Sequence, residues 1–156
     1  QTEALTFADQ VVVMDLGQVV QIGTPVELFD RPAHTFVGHF IGSPGMNVLP
    51  CDLNNGKAAL QGALVELEGA VDGSKTGKTE IGVRPEFVTL GTSGIDAVVR
   101  KVSDIGRHSV VEAMIGDHRV AAIHEGATPQ QGEAIKLSFQ QDQTRLYVDG
   151  WLATKG

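Results

Sequence analysis

The residues that look most like a chemical motif run from Gly73 to Thr79 and read Gly-Ser-Lys-Thr-Gly-Lys-Thr. Their last three match the end of the pattern in which a glycine-rich loop and a helix N-terminus hold nucleotide phosphates. The first glycine of that pattern would fall at Asp72, whose carboxylate would repel a phosphate. The next residues, Glu80 to Pro85, read as a strand that ends in proline and offer no helix N-terminus. We therefore predict a flexible polar loop here and no phosphate site.

The histidines are candidates for metal binding, but their spacing does not favour it. His34 and His39 lie five residues apart, whereas ligands on one helix face are three or four apart. His118 and His124 share one side of a predicted strand, but about 20 Å would separate them along it. We expect hydrogen-bonding or solvated roles for the histidines, including His108, and predict no metal site.

Possible nucleophiles are Ser43, Ser103, Ser109 and Cys51, the one cysteine of the chain. None of the serines lies in the Gly-x-Ser-x-Gly corner that exposes a catalytic serine. A single cysteine forms no internal disulfide, which is typical of a reducing compartment. The sequence therefore predicts no catalytic residue.

Composition excludes further classes. The 156 residues carry a formal net charge of −7 and only 5% are aromatic, so the chain lacks both the basic surface and the stacking side chains of a nucleic-acid-binding protein. Its apolar stretches are far shorter than the roughly twenty residues that cross a bilayer. We predict no nucleic-acid partner and no membrane-spanning segment.

The first third of the chain has α/β character. Thr2 to Ala8 reads as helix, and two β-branched runs flank a turn near Asp15 to Gly17, which predicts a hairpin. Thr24-Pro25-Val26-Glu27 has the N-cap hydroxyl, first-position proline and third-position glutamate of a capping box. The helix that begins there ends near Asp30, before Pro32, and a second short helix covers Ala33 to Ile41.

From Met46 onward, short runs separated by turn residues predict β structure. The predicted strands are Asn47 to Leu53, Lys57 to Leu60, Ala63 to Leu67, Thr79 to Val83, Ile95 to Ile105, Ser109 to Ile115, His118 to Ile123, Ala134 to Phe139 and Thr144 to Val148. Asn54 to Gly56, Gly116-Asp117 and Asp142-Gln143 favour three hairpin turns.

Several of these segments together resemble the C-terminal edge of the ATPase domain in ABC importers of the maltose and glycerol-phosphate type. They are Ala8 to Met14, Gly17 to Gln21, Gly23 to Pro25, Leu28 to Pro32 and Phe40 to Asn47. Ile81 to Glu86 resembles a mark of the regulatory domain that follows the ATPase domain in these subunits, and Asp104 to Arg107 matches that domain more loosely. Gln10, His34 and Gly38 differ from the family's usual Arg, Asn and Ala.

The resemblance implies a mainly β fold. Residues 1–46 would be a small α/β remnant of the ABC ATPase domain, namely its C-terminal edge with a helix, a β-hairpin and two short helices. Residues 47–156 would be an OB-like β-barrel regulatory domain of the MOP/TOBE type. The family's switch histidine would lie just before Gln1, so we expect a piece of a longer chain.

By the same resemblance, the complete subunit uses ATP and Mg²⁺, whereas this piece has no cofactor, no catalytic residue and no activity of its own. Expected partners are a second copy, membrane permease subunits and a cytoplasmic regulatory protein, with the complex on the inner face of the cell membrane. Candidate dimer-interface residues are Arg84, Pro85, Glu86 and Phe87, together with the strands near Val110 to Val120.

A second hypothesis is a module that binds an oxyanion or another small ligand. Such a site needs converging backbone N–H groups with basic or hydroxyl side chains. The best candidate cluster is Lys101, Ser103, Arg107 and Ser109.

Overall fold

The computed structural model of the chain describes residues 9–155. The helix predicted over Thr2 to Ala8 lies outside the described residues. The predicted hairpin is present, with β1 (Val11–Asp15) antiparallel to β2 (Gln18–Gly23). Gly17, at the turn, has a φ of +78°, a conformation that glycine adopts without strain.

Two short helices follow the hairpin as predicted, α1 (Pro25–Asp30) and α2 (Thr35–Phe40). The capping box of α1 is complete, because Thr24 accepts from the Glu27 N–H and the Glu27 carboxylate accepts from the Thr24 N–H. Val13, Leu28, Val37 and Ile41 form a small core between hairpin and helices. We call residues 9–46 the N-terminal layer.

Residues 47–155, which we call the β domain, form strands joined by short turns. The strands are β3 (Asn47–Pro50), β4 (Asp52–Asn54), β5 (Lys57–Leu60), β6 (Ala63–Val65), β7 (Ala70–Val71), β8 (Thr79–Val83), β9 (Val88–Gly91), β10 (Ile95–Asp104), β11 (Ser109–Ile115), β12 (His118–His124), β13 (Ala134–Phe139), β14 (Arg145–Val148), β15 (Trp151–Leu152) and β16 (Thr154–Lys155). Single turns of 3-10 helix cover Pro85–Phe87 and Gln141–Gln143.

The strands divide among several antiparallel sheets. A five-stranded sheet has the order β12-β11-β10-β13-β9, and a four-stranded sheet has the order β15-β14-β8-β3. A three-stranded sheet, β4-β5-β6, and the pair β16-β7 complete the domain. Cα atoms of the edge strands β12 and β9 come within 8 Å of each other, so the largest sheet is strongly curled. The mainly β, OB-like fold class is confirmed.

Alternation of side chains places the core of the β domain between these sheets. In β11, Val111, Ala113 and Ile115 are buried, while the residues between them are half-buried. Asn47 joins two sheets, because its side-chain amide donates to the Ala121 carbonyl at 2.8 Å and accepts from the Ala121 N–H at 2.9 Å. The predicted hairpin turns at Asn54 to Gly56 and Gly116-Asp117 connect paired strands, which confirms both.

Two strand-level predictions are wrong. Asp142-Gln143 is no hairpin turn, because β13 pairs with β10 and β9 whereas β14 pairs with β8 and β15. The segment instead forms a 3-10 turn that carries the chain from one sheet to another. The strand predicted over Asn47 to Leu53 is two strands, β3 and β4, which belong to different sheets and separate at Cys51.

Candidate functional site

The most unusual side chain of the β domain is Arg84, which is only 3% exposed although it is charged. It follows β8, where Pro85 ends the strand and turns the chain into a 3-10 helix. Its guanidinium therefore points away from the β domain and into the N-terminal layer. Nε donates to the Phe29 carbonyl at 3.0 Å, and Nη1 donates to the carbonyls of Gly38 and Ile41.

These three carbonyls lie at or near the C-terminal ends of α1 and α2. Carbonyls at helix C-termini lack intrahelical partners and carry partial negative charge, so a guanidinium satisfies them well. The ring of Phe29 lies 4.1 Å from the guanidinium carbon, in cation–π geometry. The Nη2 atom is buried without a hydrogen-bond partner among residues 9–155. The cation–π contact with Phe29 partly offsets the cost of burying this atom. Burial lowers the pKa of Arg84, which nearby Glu86 opposes.

Tyr147 makes a second contact between the two parts of the chain. This fully buried side chain of β14 donates its hydroxyl to the Pro32 carbonyl at 2.8 Å. Burial raises the pKa of Tyr147 to about 12, so the phenol stays a donor at neutral pH. Gly82 leaves space for the ring, because a Cβ there would lie 2.6 Å from Tyr147.

A chain of charges makes the third contact. Glu68, between β6 and β7, forms ion pairs with Arg31, which follows α1, and with Arg145 at the start of β14. Arg31 also donates to the Thr154 carbonyl at 3.0 Å. One carboxylate shared by two guanidinium groups thus joins the end of α1 to two strands of the β domain.

The turn between β14 and β15 makes the fourth contact, against the start of α2. The Thr35 N–H donates to the Gly150 carbonyl at 2.9 Å, and the Leu152 N–H donates to the Ala33 carbonyl at 2.9 Å. The rings of His34 and Trp151 meet edge to face with centroids 4.6 Å apart. We call these four contacts the junction: Phe29, Arg31, Pro32, Ala33, His34, Thr35, Gly38 and Ile41 on one side, and Glu68, Arg84, Arg145, Tyr147, Gly150, Trp151, Leu152 and Thr154 on the other.

The junction joins the N-terminal layer to the β domain. Its buried charged groups bond to carbonyls or pair with one another. Among the described residues, Arg84 Nη2 makes no hydrogen bond, and Glu68 Oε2 and Arg145 Nε meet as an ion pair without hydrogen-bond geometry. Within the described residues, no group of three or more His, Cys, Asp and Glu side chains is placed to hold a metal ion. Burial raises the pKa of the Cys51 thiol to about 11, which suppresses its thiolate form. The junction's contacts are hydrogen bonds, ion pairs and ring contacts between the N-terminal layer and the β domain.

The loop 72–78, whose sequence partly matches a phosphate-binding loop, connects β7 to β8. Asp72 accepts hydrogen bonds from the backbone and side chain of Ser74, and these bonds lower the pKa of its carboxyl. Thr79 begins strand β8 and not a helix. The geometry thus offers no helix N-terminus to a phosphate.

The predicted interface residues are placed differently from one another. Arg84 and Pro85 are buried, Phe87 is half-buried and Glu86 is exposed. Arg84 makes its hydrogen bonds within its own chain. Of these four residues, only Glu86 and the edge of Phe87 are therefore accessible to a second copy. In the strands near Val110 to Val120, Glu112 and Arg119 face outward as a pair, with a charged-atom separation of 4.0 Å. The dimer interface at these residues stays a prediction.

The candidate oxyanion residues do not all face one way. In the β10–β11 pair, Lys101 is opposite Glu112 and Ser103 is opposite Val110, whereas Ser109 is opposite Asp104. Directly opposed residues share a face, so Ser109 lies on the other face of the sheet from Lys101 and Ser103. Arg107 is exposed in the turn between the strands. The oxyanion site stays a prediction.

Several junction residues escaped sequence reasoning. Glu68, Arg145, Tyr147 and Trp151 carried no motif, and they act on backbone carbonyls and on residues more than thirty positions away. Tyr147 and Trp151 are the only tyrosine and the only tryptophan of the chain. In a chain so poor in large aromatic residues, their position beside one turn, Asp149-Gly150, was the available signal.

The β domain defines the class of protein. Residues 81–146 match the family model described as the TOBE domain. This range begins inside β8, includes the whole five-stranded sheet and ends inside β14, so it contains Arg84 and Arg145 of the junction. The TOBE domain is a regulatory domain, and the regulatory OB-like domain inferred from Ile81 to Glu86 is thereby confirmed.

Similar proteins specify the class further. The chain is 40% identical to the uncharacterized ABC transporter ATP-binding protein y4oS of Sinorhizobium fredii, over 94% of the chain and 41% of that protein. It is 32% identical to the sn-glycerol-3-phosphate import ATP-binding protein UgpC of Escherichia coli K12, over 94% of the chain and 43% of the relative. With the alpha-glucoside transport ATP-binding protein AglK of Rhizobium meliloti, identity is 32% over 95% of the chain and 44% of the relative.

The chain corresponds to the C-terminal region of ATP-binding subunits of the sugar-importer type of ABC transporter, which confirms the resemblance found from its motifs. It spans about two fifths of the length of the curated relatives it matches. Among residues 9–155, the structure has no helix that is both long and apolar enough to cross a membrane.

Proposed function

We propose that this chain is the regulatory part of the ATP-binding subunit of a carbohydrate-type ABC importer, and that it moves with the edge of the ATPase domain as one body. The junction is the observation that supports this. Arg84, in the TOBE domain, donates to three carbonyls of the N-terminal layer from a buried position. A hinge would need an exposed linker with few contacts across it.

The outer face of the β1–β2 hairpin is evidence that an ATPase domain lies on the other side of the N-terminal layer. Val12, Met14, Val19 and Ile22 lie on its outer face, and each is exposed by about half. Val12 pairs with Ile22 and Met14 with Val19, so the four side chains form one apolar surface. A contiguous apolar face of this kind is typical of an interface. We propose that the rest of the ATPase domain covers it.

The complete subunit would bind ATP and Mg²⁺, hydrolyse ATP as a homodimer and drive permease subunits from the cytoplasmic face of the membrane. A cytoplasmic regulatory protein is a further proposed partner of the β domain. Two relatives are named for glycerol-3-phosphate import and for alpha-glucoside transport. These names support the proposal that the transported solute is a sugar or a sugar-like molecule. The 156-residue chain would not hydrolyse ATP, because its one Gly-Lys-Thr run leads into β8.

The first experiment compares ATPase rates of the complete subunit and of the 156-residue chain, with Mg²⁺ and ATP. We expect hydrolysis by the complete subunit only. Hydrolysis by the short chain, or none by the complete subunit in its assembled transporter, would refute the proposal.

The second experiment tests the junction in the assembled transporter, reconstituted in lipid vesicles. Arg84→Met removes the guanidinium and keeps an apolar side chain of similar length, and Arg107→Met is the matched control at an exposed position. We expect Arg84→Met to lower solute uptake per ATP hydrolysed at least tenfold, and Arg107→Met to leave it unchanged. Equal coupling in the two variants would contradict a rigid junction.

The homodimer is tested by sedimentation of the chain at micromolar concentrations. We expect dimers, and a Glu86→Arg substitution should weaken them if the exposed end of the Arg84–Phe87 segment lies in the interface. Monomers alone at those concentrations would contradict dimerisation through the β domain.

A further inference from the structure

His34 occupies a position in which its protonation state decides a structural contact. It is the N-cap of α2, and its Nδ1 accepts a hydrogen bond from the Phe36 N–H at 3.0 Å. An imidazole nitrogen accepts only when it carries no proton. The contact therefore requires neutral imidazole with its proton on Nε2.

The ring is also confined on its other sides. It meets Trp151 edge to face, and Nε2 lies beside Gly150, where an added Cβ would come within 2.4 Å of it. Gly150 has a φ of +86°, which favours glycine. His34 thus fills the space between the first turn of α2 and the β14–β15 turn, and the next residue, Thr35, donates to the Gly150 carbonyl.

We propose that His34 makes the junction acid-sensitive: the neutral imidazole holds the start of α2 against the β14–β15 turn, and the imidazolium releases it. A proton on Nδ1 would replace the acceptor with a second donor aimed at the Phe36 N–H. It would also bring positive charge to a helix N-terminus, where the backbone dipoles disfavour it. Both effects oppose the closed contact.

The surroundings of the His34 ring also favour its neutral form. Desolvation lowers the pKa of His34 from its ordinary value of 6.5, and the carboxylates of Asp15 in β1 and Glu80 in β8 oppose this. The β14–β15 turn presents Trp151, and the nearby Asp149 carboxylate accepts from the Lys78 N–H. Because the closed state binds the proton less well than the open state, its advantage is complete above pH 6.5 and declines as the pH falls below that value.

The inference rests on the proposed function only in what the junction does for the importer. Acid release itself is a property of this chain that can be measured without ATP or membrane. A failed transport assay and a failed pH experiment are therefore distinguishable.

The test uses three variants of the chain. His34→Asn keeps a good N-cap acceptor that does not titrate, His34→Ala removes the cap at every pH, and His39→Asn removes a histidine from the exposed side of the same helix. Trp151 is the only tryptophan, so its fluorescence reports on the ring beside it without background. Hydrogen exchange of the Phe36 amide reports on the cap.

For the unaltered chain and for His39→Asn, we expect Trp151 emission to titrate with a midpoint below 6.5. Protection of the Phe36 amide, corrected for intrinsic exchange, should fall about fivefold between roughly pH 7.5 and 5.5. His34→Asn should keep its protection across that range, and His34→Ala should have low protection throughout. The same acid loss in His34→Asn as in the unaltered chain, or protection that rises on acidification, would overturn the proposal.

Discussion

The N-terminal layer and the β domain differ in how much of their own stability they contain. Eighteen apolar residues are buried in the main core of the β domain, whereas the layer buries four between hairpin and helices. A core of four side chains is too small to hold a folded unit by itself. The layer must therefore take much of its stability from outside, and the junction is the source that the structure contains.

The two faces of the β1–β2 hairpin also differ in how far this chain buries them. Val13 on the inner face is buried, while Val12 and Met14 beside it are exposed by about half. Among residues 9–155, other parts of the chain cover the inner face and leave the outer face half-exposed. The junction holds the layer on its inner side, and we propose that the rest of the ATPase domain holds it on the outer side.

The largest expected effect is that of Arg84→Met in the chain itself. The substitution would remove the arginine donor from the carbonyls of Phe29 and Ile41, and would leave the Gly38 carbonyl with the Met46 N–H alone. Loss of charged hydrogen bonds in a buried site should cost about 3 kcal/mol of unfolding free energy, measured by urea denaturation. The exposed Arg107→Met serves as control. A loss below about 0.5 kcal/mol would mean that the layer does not depend on Arg84.

Gly82→Ala should have the next largest effect. Its Cβ would lie 2.6 Å from the Tyr147 ring and 2.9 Å from the Met46 methyl group. Overpacking at this point should cost about 2 kcal/mol and lower the thermal midpoint. Gly73→Ala, where no atom lies within 4 Å of the added Cβ, should be close to neutral. Similar midpoints for the two variants would show that the packing under the junction is loose.

Tyr147→Phe removes one hydrogen bond and keeps the ring. The Pro32 carbonyl would lose its donor while it remains buried, at a cost of about 1.5 kcal/mol in chemical denaturation. Because the contact crosses the junction, the amides of the layer should lose at least as much opening free energy as those of β10 and β11. A loss confined to the amides of β10 and β11 would argue that Tyr147 serves only the core of the β domain.

The smallest effect is expected from Thr24→Ala. Thr24 caps α1 and belongs wholly to the layer, so the substitution removes about 1 kcal/mol from the helix and touches no residue of the junction. Circular dichroism during urea denaturation would measure it. If layer and β domain unfold together, this local loss appears in the single global transition. A separate early transition would show that the layer unfolds alone.

Sequence reasoning succeeded where a signal is local. The capping box of α1 and the Asn54 to Gly56 turn depend on neighbours in sequence, and both were predicted. It failed where a sheet is completed by distant residues: β9 was missed because Val88 to Gly91 is a short run, and its partner β13 lies far along the chain. The two-residue strands β15 and β16 are defined only by their pairing.

The junction was harder to predict for a related reason. Sequence patterns singled out Arg84 through its strand and proline, but its acceptors are backbone carbonyls, which every residue carries. The residue types of Phe29, Gly38 and Ile41 do not indicate that their carbonyls accept from an arginine more than forty residues away. The interface proposed for Arg84 from family resemblance is thus occupied, at its buried end, by the chain itself.

Native-state hydrogen exchange tests the central claim most directly, since it compares the opening free energy of the two regions in one sample. We predict that the Ile41 amide, at the end of α2, opens with nearly the same free energy as amides of β8 and β14. Arg84→Met should lower the opening free energy of the Ile41 amide by at least as much as that of the β8 and β14 amides. If Ile41 already opens far more easily than β8 in the unaltered chain, or if Arg84→Met leaves it unchanged, the two parts do not form one body.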